Sequence, residues 1–226
     1  AGGIDLGFSQ AGMNIVWAVD NDPDCVKTYK KNISSDIVCA DISNIESSGI
    51  PKADIVIGGF PCQGFSMANR FRSTGDSRNK LYLEMLRVLT DLQPKWFIAE
   101  NVKGILSLAD GKIFEGILSD FGKAGYRVRH ELVNMADHGV PQQRKRVVIL
   151  GTRNDLPESM SLVHPRPDYA KNGKDGRKEW VSVNKALMVL KRWKRDFPND
   201  IGSKYKVKYR NFTGHRQTDG NAPSPT

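Results

Sequence analysis

The sequence predicts an α/β fold, a mostly parallel sheet with helices on both faces. Two observations predict it. Over residues 1–152, short apolar runs with strand character alternate with longer stretches at helical spacing. The glycines, carboxylates and a cysteine that could carry chemistry fall just after the apolar runs. That is where open α/β sheets bind and react, outside the carboxyl ends of their strands.

The elements follow in order. Gly2-Gly3 opens a first helix, and Ile15 to Val19 reads as a strand. Asp22-Pro23 is a helix start, the aspartate as N-cap and the proline at the first helical position, with the helix running to Asn32. Residues 36–39 and 53–57 read as strands. Leu81, Leu83, Leu86, Val88, Leu89 and Leu92 recur at helical spacing. Trp96 to Ala99 is a strand ending at Glu100-Asn101, and residues 113–121 carry a second helical stripe. Residues 126–133 and 146–150 are two further strands. After Gly151 the composition changes. Residues 153–180, rich in Pro, Gly and charge, read as a long loop or linker. Residues 181–197 read as a basic amphipathic helix and 204–210 as a strand with one charged face.

Bulk properties narrow the class. The 226 residues are 39% hydrophobic with a mean hydropathy of -0.46, and no apolar run approaches the roughly 18 residues of a membrane helix. No signal peptide is expected. Cys25, Cys39 and Cys62 lack metal-like spacing, so free thiols in a reducing, cytoplasmic setting are expected, with no metal site. The net charge of +9 is unevenly spread. Residues 1–120 hold 12 Lys and Arg against 15 Asp and Glu, whereas residues 121–226 hold 22 against 10. A near-neutral body beside a basic surface suits a polyanionic partner, although a solvated basic face has the same composition. With no initiating Met and no first strand, the sequence reads as part of a longer protein.

Cys62 lies in Gly58-Gly59-Phe60-Pro61-Cys62-Gln63-Gly64-Phe65-Ser66, directly after a strand. Cysteine is often just a small buried hydrophobe. Here Pro61 and Gly64 shape an irregular loop with polar neighbours, and nearby arginines would favour the reactive thiolate. Gly2-Gly3 at a turn permits close approach of backbone to a ligand. Asp20, at a strand end, can hold ribose hydroxyls, and Asp41-Ile42 ends the next strand, where a carboxylate can accept from an adenine amino group. Each alone could be a cap; together they favour an adenosyl-type cofactor. Glu100 could protonate or hydrogen-bond a ring nitrogen, or merely cap a helix. Asn101 can fix its loop through backbone hydrogen bonds. On a continuous strand Gln142, Arg144 and Arg146 share one face, suited to phosphate or carbonyl binding.

These motifs, in this order, resemble the bacterial-type cytosine-5 DNA methyltransferases, the C5-methyltransferase family. The resemblance rests on Gly2-Gly3, Asp20, Asp41-Ile42, Pro61-Cys62-Gln63, Glu100-Asn101-Val102 and Gln142-x-Arg144-x-Arg146. Asp76-Ser77-Arg78 followed by Leu81 resembles the end of the family's mobile catalytic loop. It implies a Rossmann-like S-adenosylmethionine-dependent methyltransferase sheet in residues 1–152, and a linker with the start of a small target-recognition region in 153–226. It implies Cys62, Glu100 and Arg146 as catalytic residues. It places Gly2, Gly3, Asp20, Asn21, Asp41, Ile42, Pro61 and Leu81 around S-adenosyl-L-methionine, with S-adenosyl-L-homocysteine as product. Gln63, Ser66, Asn101, Gln142 and Arg144 would contact DNA. The partner implied is double-stranded DNA, with a restriction endonuclease acting separately, and a monomer near the nucleoid is expected. A transfer RNA substrate, a non-catalytic nucleic-acid-binding relic and a nicotinamide dehydrogenase are the competing expectations.

Overall fold

The computed structural model describes residues 2–61, 80–186 and 224–225. Cys62, Gln63, Ser66, the segment 76–78, most of the basic helix expected over 181–197 and the strand expected over 204–210 lie outside them. Internal contacts group the chain into two units, one of residues 1–130 and 148–163, the other of 131–147 and 164–226. This grouping differs from the compositional break after Gly151.

In the first unit, α1 (Gly3–Gln10) follows Gly2, whose φ is 77°. A Cβ at Gly2 would stand 2.2 Å from Ile33 Cδ1 and 2.6 Å from Tyr29 Cδ2, so both conformation and space demand glycine. β1 (Ala18–Asp20) starts three residues later than the apolar run suggests. Its parallel partner β2 (Ile37–Cys39) is only three residues long and pairs from Ala18↔Ile37 to Asp20↔Cys39. Between them α2 (Pro23–Asn32) begins as its sequence dictates: the Asp22 carboxylate accepts from the Asp24 and Cys25 amides at 2.8 and 3.2 Å. Val26, Tyr29 and Ile37 form a small core here.

A second sheet holds β3 (Ile55–Gly58), β4 (Trp96–Val102), β7 (Lys145–Arg153) and β5 (Tyr126–Asn134) in that order, with β3 and β4 parallel. α3 (Lys80–Leu92) lies between β3 and β4 in sequence. Its buried face is Tyr82, Met85, Val88 and Leu89, while Leu83 is 53% exposed. The leucines alone mislead, because Tyr82 and Met85 are the residues that share a face with Leu89 at 3.6 residues per turn. α4 (Lys112–Lys123) buries Phe114, Ile117 and Phe121. β5 (Tyr126–Asn134) and, after the two-residue β6 (Gln142–Gln143), β7 (Lys145–Arg153) complete the sheet. Arg153 N–H donates to the Lys95 carbonyl and Asn154 N–H to that of Gly125, each at 2.9 Å. The end of β7 thus meets the starts of β4 and β5, and β7 runs antiparallel to both, so the sheet is mixed.

The core is a chain of rings. Phe60 meets Tyr82 at 5.5 Å, Tyr82 meets Phe121 at 5.9 Å, Phe121 meets Phe97 at 4.6 Å and Phe97 meets Tyr126 at 5.1 Å. A Cβ at Gly151 would fall 1.9 Å from Phe97 Cε1; β7 can pass Phe97 only as glycine. The start of the segment after β7 is bonded to β4 and β5. Arg127 donates to the carbonyls of Asn154 and Leu156 at 3.0 and 2.8 Å, and Trp96 Nε1 donates to that of Met160 at 2.9 Å.

In the second unit, β8 (Tyr169–Ala170) pairs in parallel with β9 (Lys178–Glu179). Trp180 Nε1 donates to Asp137 at 2.8 Å, and the Lys178 ammonium sits 5.7 Å from the Tyr169 ring centre. β10 (Ser224–Pro225) pairs with β6. No helix among the described residues is long and apolar enough to cross a membrane.

Candidate active site

The carboxyl end of β3 is where the first unit concentrates its expected site residues. A cleft of ≈ 260 Å³ is lined by residues 2–5 and 57–59, so the glycine turn before α1 faces the glycines that end β3. A Cβ on Gly3 would meet nothing within 4 Å. That open side is what a ligand lying against backbone needs. Asp5, in the same wall, accepts a hydrogen bond from the Tyr29 hydroxyl at 2.6 Å. Burial, and then that carboxylate, hold the Tyr29 phenol well above the ordinary tyrosine range.

β4 supplies the next two residues, and its pleat separates them. Phe97, Ala99 and Asn101 face the core, whereas Ile98 and Glu100 point to the other, half-exposed side. A Cβ on Gly59 would lie 4.0 Å from Glu100 Oε2, which puts the carboxylate beside the loop that leads to Cys62. Asn101 is 2% exposed, and a buried amide needs partners. Its Nδ2 donates to the Phe60 carbonyl at 3.0 Å, and its Oδ1 accepts from the Val102 amide at 2.9 Å. Of the two roles expected for Asn101, contact with nucleic acid and fixing the loop, this geometry is that of the second. The side chain is turned into the protein. Pro61, half-buried, is the last described residue before Cys62, and Leu81 is half-buried in the first turn of α3.

Asp20, Asn21, Asp41 and Ile42 do not line the cleft; they stand at the carboxyl ends of β1 and β2. Ala40 N–H donates to the Asp20 carbonyl at 3.1 Å, so the two strand ends are adjacent. The Asp20 carboxylate accepts from Asp22 N–H at 2.9 Å. Asp41 caps the short turn Ile42–Asn44, its Oδ1 accepting from Ser43 N and Oγ at 2.9 and 2.8 Å. Asn21 is exposed. The glycine-lined cleft with a carboxylate at each of two adjacent strand ends fits an adenosyl compound.

Gln142, Arg144 and Arg146 belong to the second unit. They are not on one continuous strand. The amides of Gln142 and Arg144 donate two residues back, to Val140 and Gln142 at 2.7 and 3.0 Å, and the strand breaks at Arg144. The exposure still alternates: Gln142, Arg144 and Arg146 are half-buried, while Gln143 and Lys145 are exposed. Arg146 Nη1 donates to the Lys145 carbonyl at 2.9 Å.

Three positioning residues escape a reading of motifs alone. Phe60 is 6% exposed and ties the loop to the aromatic chain; an aromatic between glycines and proline is the signal that was available. Tyr29 donates to Asp5, and Arg87 donates to the carbonyls of Ile42 and Ile45 in the turn after β2, with no local pattern announcing either.

Comparison with known proteins identifies the family and the fold. The model of the C-5 cytosine-specific DNA methylases matches residues 1–224. The type II methyltransferase M.NgoFVII of Neisseria gonorrhoeae is 41% identical over 188 residues, 82% of this chain and 50% of that protein. M.FnuDI of Fusobacterium nucleatum is 46% identical over 156 residues, 69% and 45% of the respective chains. The chain thus spans about half the length of these curated relatives. The crystal structure of the S. pombe Dnmt2 methyltransferase superposes with a TM-score of 0.60 at 21% identity, over 87% of this chain and 65% of that one. That likeness shows the fold, a Rossmann-like methyltransferase sheet. With a family model matching nearly its whole length, the chain belongs to the C-5 cytosine-specific DNA methylase family.

Proposed function

We propose that the full-length protein transfers a methyl group from S-adenosylmethionine to C5 of cytosine in duplex DNA, within a restriction-modification system. Residues 1–152 form the catalytic and cofactor-binding part, and residues 153–226 a linker with part of the target-recognition region. The observation that supports this most is the pair of contacts at the tip of β3. Glu100 stands beside Gly59 and Asn101 holds the Phe60 carbonyl, so the acid and the residue that moors the Cys62 loop share one strand, β4.

The target base leaves the stack, at a cost of about a few kcal/mol. The Cys62 thiolate forms a bond to C6, and the ring electrons move toward C5 and N3. Glu100 hydrogen-bonds N3 and the exocyclic amine and shares a proton there, so charge does not accumulate on the ring. S-adenosylmethionine, when bound, supplies an electrophilic methyl group. C5 would take that methyl with its electron pair, leaving S-adenosylhomocysteine as the thioether, and would then give its proton to solvent water as the C6–sulfur bond breaks and the thiolate returns. Arg146, with Arg144 and Gln142, holds the base carbonyl and a flanking phosphate. Gln63 and Ser66 touch the DNA or fill the gap left by the base. Gly2 and Gly3 hold the cofactor by backbone, Asp20 and Asn21 its ribose, Asp41 and Ile42 its adenine, with Pro61 and Leu81 against it. Asn101 positions the loop.

Type II methyltransferases among the relatives support the restriction-modification reading. Cys62→Ser in the full-length protein is expected to abolish methyl transfer and retain DNA binding; near-normal transfer would sink the assignment. Bisulfite sequencing of DNA from a host expressing the full-length protein tests the reaction and reads its target together. Equal methylation of transfer RNA and failure on duplex DNA would move the substrate.

A further inference from the structure

The turn that follows β2 is held by one side chain of α3. Neither Ile42–Asn44 nor the next turn, Ser47–Gly49, contains a buried residue, while Ile42 and Ile45 are half-buried and Ile50 beyond them is buried. Arg87 adds the polar anchors. Its Nη2 donates to the carbonyls of Ile42 and Ile45 at 3.1 and 3.0 Å, and its Nη1 donates to Ser47 Oγ at 2.6 Å. Its Nε donates to Glu84 at 2.7 Å, which orients the guanidinium from behind, and Ser47 Oγ donates on to Asp91 at 2.5 Å. All three guanidinium nitrogens are used. A planar fork with fixed donors can do this, and a lysine ammonium cannot reproduce it.

Ile42 directly follows Asp41, whose carboxylate is already committed on one oxygen to Ser43. The Ile42 carbonyl that Arg87 holds and the Ser43 amide that donates to Asp41 belong to one peptide unit, so the orientation of that peptide bears on where the Asp41 carboxylate points. We infer that Arg87 is a positioning residue for recognition of the adenine of the methyl donor. It touches no ligand atom and acts through the Ile42–Ser43 peptide, whose carbonyl it holds and whose amide donates to the Asp41 carboxylate. This rests on the reading of Asp41 and Ile42 as adenine contacts.

The test uses the full-length protein, calorimetric titration with S-adenosylhomocysteine and its inosine analogue, and steady-state kinetics. Arg87→Met is expected to weaken S-adenosylhomocysteine about tenfold or more, the loss of roughly one charged hydrogen bond's worth of order. The KM for cofactor rises in step, while kcat at saturating cofactor and the KM for DNA stay near wild type. Preference for the adenine over the inosine compound shrinks, which a general loosening of the fold would not produce. Arg87→Lys falls between. Ser47→Ala, which leaves Arg87 in place and removes one of its anchors, shows the same pattern more weakly, and serves if Arg87→Met does not fold. Unchanged cofactor affinity and base preference in a folded Arg87→Met, or in Ser47→Ala should the first not fold, overturn the inference. Failure of the wild type to bind S-adenosylhomocysteine at all overturns instead the cofactor reading on which the inference stands.

Discussion

Asn101 is a buried amide with both ends in use, and its value lies in where those ends go. One bond closes on its own strand; the other reaches 41 residues back, to the carbonyl before Pro61. Replacing it by alanine leaves that carbonyl without its donor, which costs about 1–3 kcal/mol. For Asn101→Ala we expect a lower thermal midpoint together with a kcat reduced by about tenfold or more, because on the proposed mechanism the mutation unmoors the loop that carries Cys62, and a displacement of about 1 Å is expensive. Cofactor affinity, measured by titration, should change little. At this scale the motifs were legible: Asp22 as a cap, Glu100 and Asn101 at the end of a strand. Arg87, Tyr29 and Phe60 were not, since each acts on a partner distant in sequence.

Elements were legible where a local signal was strong. The Asp22-Pro23 start and the β-branched run before Gly58 translate directly into α2 and β3. They were misread where a partner decides. β1 is trimmed by the length of β2, the buried face of α3 is set by Tyr82 and Met85, and the direction of β7 is a matter of topology that no periodicity carries. The passage of β7 over Phe97 gives a prediction at this level. In Gly151→Ala the new methyl meets a packed ring, and overpacking of this kind costs about 1–3 kcal/mol or more. In Gly58→Ala the new methyl meets Met85 Sδ at 2.8 Å. That is a flexible thioether able to move. Denaturant midpoints should therefore drop clearly for Gly151→Ala and only slightly for Gly58→Ala.

Across the whole molecule, three of the six tyrosines bind the fold together. The Tyr126 hydroxyl donates to the Pro94 carbonyl at 2.9 Å, and Tyr82 donates to Asp120 at 2.9 Å. Burial foremost raises all three phenols above the ordinary tyrosine range, Tyr126 to about 12. A raised folded value means the native state holds its proton more tightly than the unfolded chain, whose tyrosines titrate near 10. Their contribution is thus fully present below about pH 10 and is lost as pH climbs through the folded values. Stability should be flat in this respect up to about pH 9 and fall between about 10 and 12, followed by denaturant midpoints. Tyrosinate absorbance from these residues should appear with unfolding rather than before it. Tyr126→Phe should flatten part of that fall.

β4 hands Glu100 to one side of the sheet and Asn101 to the other. The phase of a single strand therefore decides both where the acid stands and whether the loop is moored. Slipping β4 by one residue would exchange the two faces. The carboxylate would then lie among Phe97's neighbours and the amide would face outward. The proposed acid and the mooring amide would be lost together, so the register of β4 bears on the site and on the core at once.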